Sequence, residues 1–262
     1  MLTKSLFSKF NTYVAINENL VRDYVDLGIK TNQISYIPNG VDTNFFCPPA
    51  RSEKLFLRNK FGIPENALVI VFSGRLVKEK GIDTLVEAFR NINREFPNTF
   101  LLIVGGVNPD PSRVSSESML ADFKNKAWAT DPISATKKAS KLGITNIKFT
   151  WSVANVSDYL KTSDIFVLPS FTEGLSNSLL EGMATGLAVV ASNIPSVVPV
   201  IKNFENGLLF EAGNVDELTD RLRIFILSKK LSKLMGKRAR ELILERYSIE
   251  KTVDGYISVF TG

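Results

Sequence analysis

The stretch ALVIVFSGRLVKEKGIDTLVEAFRNINREFPNTFLLIVGG (67–106) decides the architecture. It opens on ALVIVFS (67–73), six consecutive apolar residues and a serine, of the kind that forms a strand buried on both faces. A loop, GRLVKEKG (74–81), follows. Then Leu85, Phe89, Ile92 and Phe96 recur at three- and four-residue spacing, which places them on one face of an amphipathic helix. TFLLIVGG (99–106) is a second buried strand, ending in paired glycines. Strand, loop, helix and strand in that order make a parallel β-α-β unit.

The same alternation continues outward. NIKFT (146–150) and DIFVLPS (164–170) read as strands, with a short helix near Val156–Lys161 between them. SNSLLEGMATG (176–186) reads as a helix stopped by Gly186. LAVVAS (187–192) and the shorter NGLLF (206–210) are further strands, and the pattern is helical from Val215 to about Phe260. The fold class expected from this alternation is α/β, with a parallel sheet. Residues 107–140, with Pro109, Pro111, Ser112, Ser115 and Ser116, depart from this pattern; they are expected to form a mobile excursion on the sheet's rim. Residues 1–50 differ again. KFNTYVAINENLVRDYVDLGI predicts a strand and helix, and ISYIPNGVDTNFF a strand and turn, together the end of one lobe plus a linker.

Composition excludes several classes of chemistry. The chain has 262 residues, 44% hydrophobic and 23% charged, an ordinary globular balance. No apolar run approaches the roughly 18 residues of a membrane span, and MLTKSLFSKF lacks the apolar core of a signal peptide. Cys47 is the only cysteine and histidine is absent, so the chain has no internal disulfide, no cysteine-clustered zinc site and no histidine-dependent triad. Chemistry must rest on carboxylates, Lys, Arg and backbone dipoles. The net charge of +5 suits an anionic small molecule or a lipid surface, and is too small to indicate nucleic acid.

Two segments carry that chemistry. In FTEGLSNSLLEGMATG (171–186), Glu173 falls in the loop after a strand and Glu181 within the next helix. Ligands of open α/β sheets bind at strand carboxyl ends. A helix start there offers free N–H groups and a positive dipole end for phosphate, whereas a carboxylate suits sugar or ribose hydroxyls. In SGRLVKEKG (73–81), Arg75 supplies a planar fork for phosphate oxygens and Lys80 a point charge. Gly74 and Gly81 permit close backbone approach. Neither a Gly-x-Gly-x-x-Gly nor a Walker pattern occurs.

Taken together, these residues resemble the retaining nucleotide-sugar glycosyltransferases of the two-lobed GT-B type, in particular the large family 4, formerly group 1. The resemblance runs over roughly residues 33–260 and is carried, in order, by IPNGVDTNFF (37–46), the SGRLVKEKG loop, LLIVGG (101–106), SDIFVLPSFTEGLSNSLLEGMATGLAVVAS (163–192) and NGLLF. It implies a doubly wound parallel sheet, the Rossmann-like C-terminal lobe, with the N-terminal lobe largely absent: residues 1–50 a remnant and linker, and residues 51–262 the donor-binding domain. It implies that Arg75 and Lys80 bind the donor diphosphate, Glu173 the donor sugar hydroxyls, and Glu181 the nucleotide ribose. Gly74, Gly174, Leu175 and Ser176 would line the nucleotide sugar, the last three through backbone N–H groups. No metal or other cofactor is implied. The reaction would be hexosyl transfer with retention, this chain being incomplete or inactive alone. The acceptor lobe would be missing or on a partner chain. The alternative is a non-catalytic nucleotide-sugar-binding module, or a subunit of a split enzyme. Base, sugar and acceptor are not legible.

The chain departs from that family in places. Trp151 stands where the family usually has Gly, near the base pocket, and Pro199 where it often has Glu. The half-built cleft is expected to expose apolar surface and to favour association. Lys229, Lys230, Lys233, Lys237, Arg238 and Arg240, interleaved with Leu231, Leu234, Met235, Leu242 and Ile243, form a basic run that reads as a solvated helix face. It also suits peripheral docking of a cytoplasmic protein on anionic lipid at the inner membrane surface. Asn39 and Asp42 are expected to bond local backbone in a turn.

Overall fold

A computed structural model of the chain describes residues 10–106 and 132–261. Most of the rim excursion, residues 107–131, and with it the expected mobility, lies outside the described residues. Its last part is a helix.

The chain begins with a small unit: β1 (Tyr13–Ala15), α1 (Glu18–Asp26) and β2 (Ile34–Tyr36), the two strands paired in parallel with Tyr13 opposite Ile34. Asn17 caps α1, its side chain accepting from the Leu20 N–H at 2.8 Å. A linker leads to α2 (Arg51–Lys60) and then to the main domain.

The main domain runs β3 (Leu68–Ser73), α3 (Ile82–Glu95), β4 (Thr99–Val104), α4 (Pro132–Lys141), β5 (Ile147–Phe149), α5 (Val156–Lys161), β6 (Ile165–Leu168), α6 (Asn177–Ala184), β7 (Ala188–Ser192) and β8 (Leu208–Phe210). Three helices close the chain: α7 (Val215–Leu227), α8 (Lys229–Arg246) and α9 (Ile249–Thr261). The segment expected to be helical from Val215 to about Phe260 is thus helical, divided into three. Ser228 ends α7 and caps α8, its hydroxyl accepting from the Leu231 N–H at 3.4 Å.

Six parallel strands lie in the order β5-β4-β3-β6-β7-β8. The chain winds outward from β3 to β5, then returns across β3 to place β6 on its other side. This is the doubly wound sheet the sequence predicts. Alternation along β3 shows why its run is apolar throughout. Ile70 and Phe72 join Leu85, Phe89, Ile92, Leu101, Ile103, Leu218, Leu222 and Phe225 on one face. Val69 and Val71 join Leu102, Phe166, Leu179, Leu180, Met183, Ala239 and Ile243 on the other. Each of these side chains larger than alanine, fully buried, contributes about 1.5–3 kcal/mol of transfer free energy.

Asp164, just before β6, anchors α2 at the amino edge of the sheet. Its carboxylate accepts from Lys54 Nζ at 2.6 Å, Arg58 Nη2 at 2.8 Å and the Val69 N–H at 2.8 Å. Burial pushes the Lys54 ammonium below its ordinary value, against the pull of Asp164.

Candidate functional site

Because all six strands are parallel, their carboxyl ends share one edge. The winding direction reverses between β3 and β6, and the loops leaving these two strands part there to form a crevice. An open cleft of about 450 Å³ occupies it, lined by Arg75, Val77, Glu79 and Lys80 from the β3 loop and by Thr172, Glu173 and Gly174 from the β6 loop.

The two loops are stitched together. Lys80 Nζ lies 2.5 Å from Glu173 Oε1, which also accepts from Ser170 Oγ at 2.8 Å. The pair is largely withdrawn from solvent, the side chains being 18% and 8% exposed. The Phe171 N–H donates to the Glu79 carbonyl at 2.8 Å. Gly81, where the loop turns into α3, has φ +65°, and a Cβ on it would stand 2.0 Å from the Pro169 carbonyl oxygen. Only glycine lets the loops meet this closely. Arg75, in contrast, is exposed and has no ion-pair or hydrogen-bond partner among the described residues.

At the far end of the β6 loop, Ser176 caps α6, its hydroxyl accepting from the Leu179 N–H at 3.4 Å. Leu175 is buried in the core. The backbone N–H groups of Gly174, Leu175 and Ser176 donate to nothing among the described residues. Three unsatisfied donors at the positive end of a helix, beside a free guanidinium, favour an anion.

Of the residues named from sequence, the structure brings Arg75, Lys80, Glu173 and Gly174 into one cleft. Gly74 precedes Arg75 at the end of β3. Glu181 lies further along α6, outside the lining of that cleft. Its carboxyl is half-buried without a hydrogen-bond partner among the described residues, and burial pushes it up to about 7. The sequence reading missed Ser170, Glu79 and the direct Lys80–Glu173 contact. Ser170 had a signal, standing at a strand's carboxyl end three residues before Glu173; the contact, across 93 residues, had none.

Other expectations resolve differently. Asp42 bonds local backbone, accepting from the Asn44 and Phe45 N–H groups at 2.9 Å each. Asn39 does not: its Nδ2 donates to Asn177 Oδ1 at 3.0 Å, because the turn lies against the start of α6. Arg240 leaves the basic run and turns inward, donating to the carbonyls of Ala184, Phe46 and Thr43. Lys229, Lys230, Lys233 and Lys237 stay exposed. The Trp151 ring lies against Gly106, where a Cβ would come within 2.9 Å of it. Pro199 lines a second hollow of about 410 Å³ with Glu18, Arg22, Asn193 and Val198. Among the described residues, no helix is long and apolar enough to cross a membrane.

A doubly wound parallel sheet with charged loops meeting in a cleft at its switch point defines an α/β protein whose cleft lies where open sheets of this kind bind ligands. The family model described as glycosyl transferases group 1 matches residues 53–242, and the chain belongs to that family. It is 31% identical over 232 residues to the Escherichia coli UDP-Gal:alpha-D-GlcNAc-diphosphoundecaprenol alpha-1,3-galactosyltransferase, covering 87% of this chain and 54% of that protein. The chain thus spans about half the length of that curated relative. Its fold matches an Anabaena protein solved with UDP and glucose, TM-score 0.79 at 18% identity over 96% of this chain and 63% of the other. It also matches the C-terminal domain of a Francisella tularensis group 1 glycosyl transferase, TM-score 0.66 at 26% identity, covering 80% of this chain and all (100%) of that one. The architecture is the Rossmann-like domain of a GT-B glycosyltransferase.

Proposed function

We propose that this chain is the donor-binding half of a retaining glycosyltransferase that takes its sugar from a nucleotide-diphosphate sugar. The observation that carries the reading is the cleft itself. Arg75, the Lys80–Glu173 pair and Gly174 line one crevice at the sheet's switch point, and the chain continues from Gly174 into Leu175 and Ser176, whose N–H groups, like that of Gly174, have no partner among the described residues. The Anabaena complexes with UDP and with UDP and glucose support the ligand class.

In this reading the diphosphate meets Arg75 and the α6 N–H groups. Glu173, held by Lys80 and Ser170 through one oxygen, offers its other oxygen to sugar hydroxyls. Glu181 takes the ribose. As the anomeric C–O bond breaks, negative charge grows on the departing diphosphate and positive character on the sugar. Donors fixed before reaction stabilise that charge more in the transition state than in the ground state. Lys80 serves by holding Glu173 and by adding its charge beside the leaving group. The acceptor would be bound by a further lobe, in the same polypeptide or on a partner chain.

Calorimetric titration of UDP, GDP, ADP and their sugars against wild type and Glu181→Ala tests this. One nucleoside diphosphate is expected to bind best, with weakened affinity in the variant. Failure of all of them to bind the wild type would sink the reading. Equal binding by both proteins would remove Glu181 from the ribose role.

A further inference from the structure

The β6 loop is a strap fastened at both ends. One end is held by the β3 loop, through Lys80 on Glu173 and the Glu79 carbonyl on the Phe171 N–H. The other end is held by a residue from far outside the domain's own loops: Asn39, whose Nδ2 donates to Asn177 Oδ1 at 3.0 Å across 138 positions. The three unpartnered N–H groups of residues 174–176 lie between these fastenings.

Asn39 is itself firmly placed. The Val41 N–H donates to the Tyr247 carbonyl at 2.9 Å, and the Ile249 N–H to the Val41 carbonyl at 3.0 Å. Thr252 Oγ1 donates to the Pro38 carbonyl at 2.9 Å. A Cβ on Gly40 would stand 2.5 Å from Thr252 Oγ1 and 2.6 Å from the Ser248 carbonyl. The turn is therefore wedged against the start of α9, and Asn39 projects from it to the first residue of α6.

A carboxamide has an acceptor pole and a donor pole. With its oxygen engaged by Asn39, Asn177 keeps its NH2 group free. We propose that Asn39 is a positioning residue for the donor site: it fixes the Asn177 carboxamide with its oxygen engaged and its donor pole outward, so that this side chain offers N–H rather than C=O to an anionic ligand at the start of α6. This rests on the donor-site reading above. It adds a requirement that the reading does not contain, namely that a residue of the linker sets the polarity of the helix start.

The test is calorimetric, on the whole chain, using whichever of UDP, GDP and ADP the wild type binds best. Asn39→Ala and Asn177→Ala are each expected to weaken binding by about fivefold, and the double variant by no more than either alone. Asn39→Asp keeps a hydrogen bond but reverses it, drawing the Asn177 NH2 inward and turning its oxygen outward. It should bind at least as poorly as Asn39→Ala, and add less than about twofold in an Asn177→Ala background. The melting temperatures of all variants should match wild type, since both residues are partly or fully solvent-exposed. Wild-type affinity in Asn39→Asp would mean a merely structural tie and overturn the proposal. So would unchanged affinity in the single variants, or losses that multiply in the double variant. A wild type that binds none of the three diphosphates would instead bring down the donor-site reading, and this proposal with it.

Discussion

Burial on α6, with no hydrogen-bond partner among the described residues, pushes the Glu181 carboxyl from its ordinary 4.5 up to about 7. Between those two values the folded chain holds a proton that the unfolded chain has released. Stability therefore falls as pH rises through that window, by up to about 3 kcal/mol. Urea midpoints measured from pH 4.5 to 8 should show this decline, and Glu181→Gln should flatten it; an unchanged slope in the variant would exclude Glu181 as the cause. In the proposed ribose role, hydroxyls donating to Glu181 would favour its ionised form, so nucleotide affinity should rise from pH 6 to 8 in wild type and not in Glu181→Gln. Lys80→Ala leaves Glu173, itself only 8% exposed, with Ser170 as its remaining partner. In an assembled two-lobed enzyme, turnover should drop by about 10²–10³-fold, as for loss of one preorganised charge-stabilising group. Turnover within twofold of wild type would refute the role. Arg75, Lys80, Glu173 and Gly174 were legible from their place after strands. The Lys80–Glu173 contact was not, because it depends on how two loops 93 residues apart fold toward each other.

The β3 and β6 loops set the cleft, and their junction is tight enough to test. Gly81→Ala would force a left-handed φ on a Cβ that also meets the Pro169 carbonyl at 2.0 Å. Relief requires the loops to separate, so the variant should lose about 2 kcal/mol or more of stability and weaken nucleotide binding together. Loss of neither, in denaturant titration and calorimetry, would mean that the loops part freely. At the opposite edge, Asp164→Asn removes the charge that Lys54 and Arg58 share. With Asp164 about one-third exposed, roughly 2 kcal/mol of destabilisation is expected without loss of nucleotide affinity. The strands and α3 were readable from periodicity because burial on two faces, or on one stripe, leaves a mark on every residue. The helical segment from Val215 was readable in the same way, whereas its division at Ser228 shows only in the structure, where that hydroxyl caps α8.

At the scale of the whole molecule, α7 carries the chain back from the cleft edge to the amino edge, where Arg223 pairs with Glu95 at the end of α3 at 2.9 Å. The exposed lysines that follow, Lys229, Lys230 and Lys233, therefore sit at the edge opposite the cleft. The small β1-α1-β2 unit and α9 form the other extreme. No residue of α9 is buried, and Val253, Ile257 and Phe260 are 48%, 53% and 83% exposed. A helix with this much apolar surface favours association. Light scattering of the chain at high concentration is expected to show self-association that Ile257→Glu with Phe260→Ser reduces; a monomer at all concentrations would refute this. Local pattern alone determined the alternation of strands and helices that makes a parallel α/β sheet, the loops that leave its strands, and which of their residues bear charge, since hydrophobic periodicity and loop chemistry act over a few neighbours. Only the tertiary structure decided which charges pair, that Arg240 turns inward, and that Asn39 reaches α6. Those outcomes depend on distances between segments tens to hundreds of residues apart, which the packed sheet establishes.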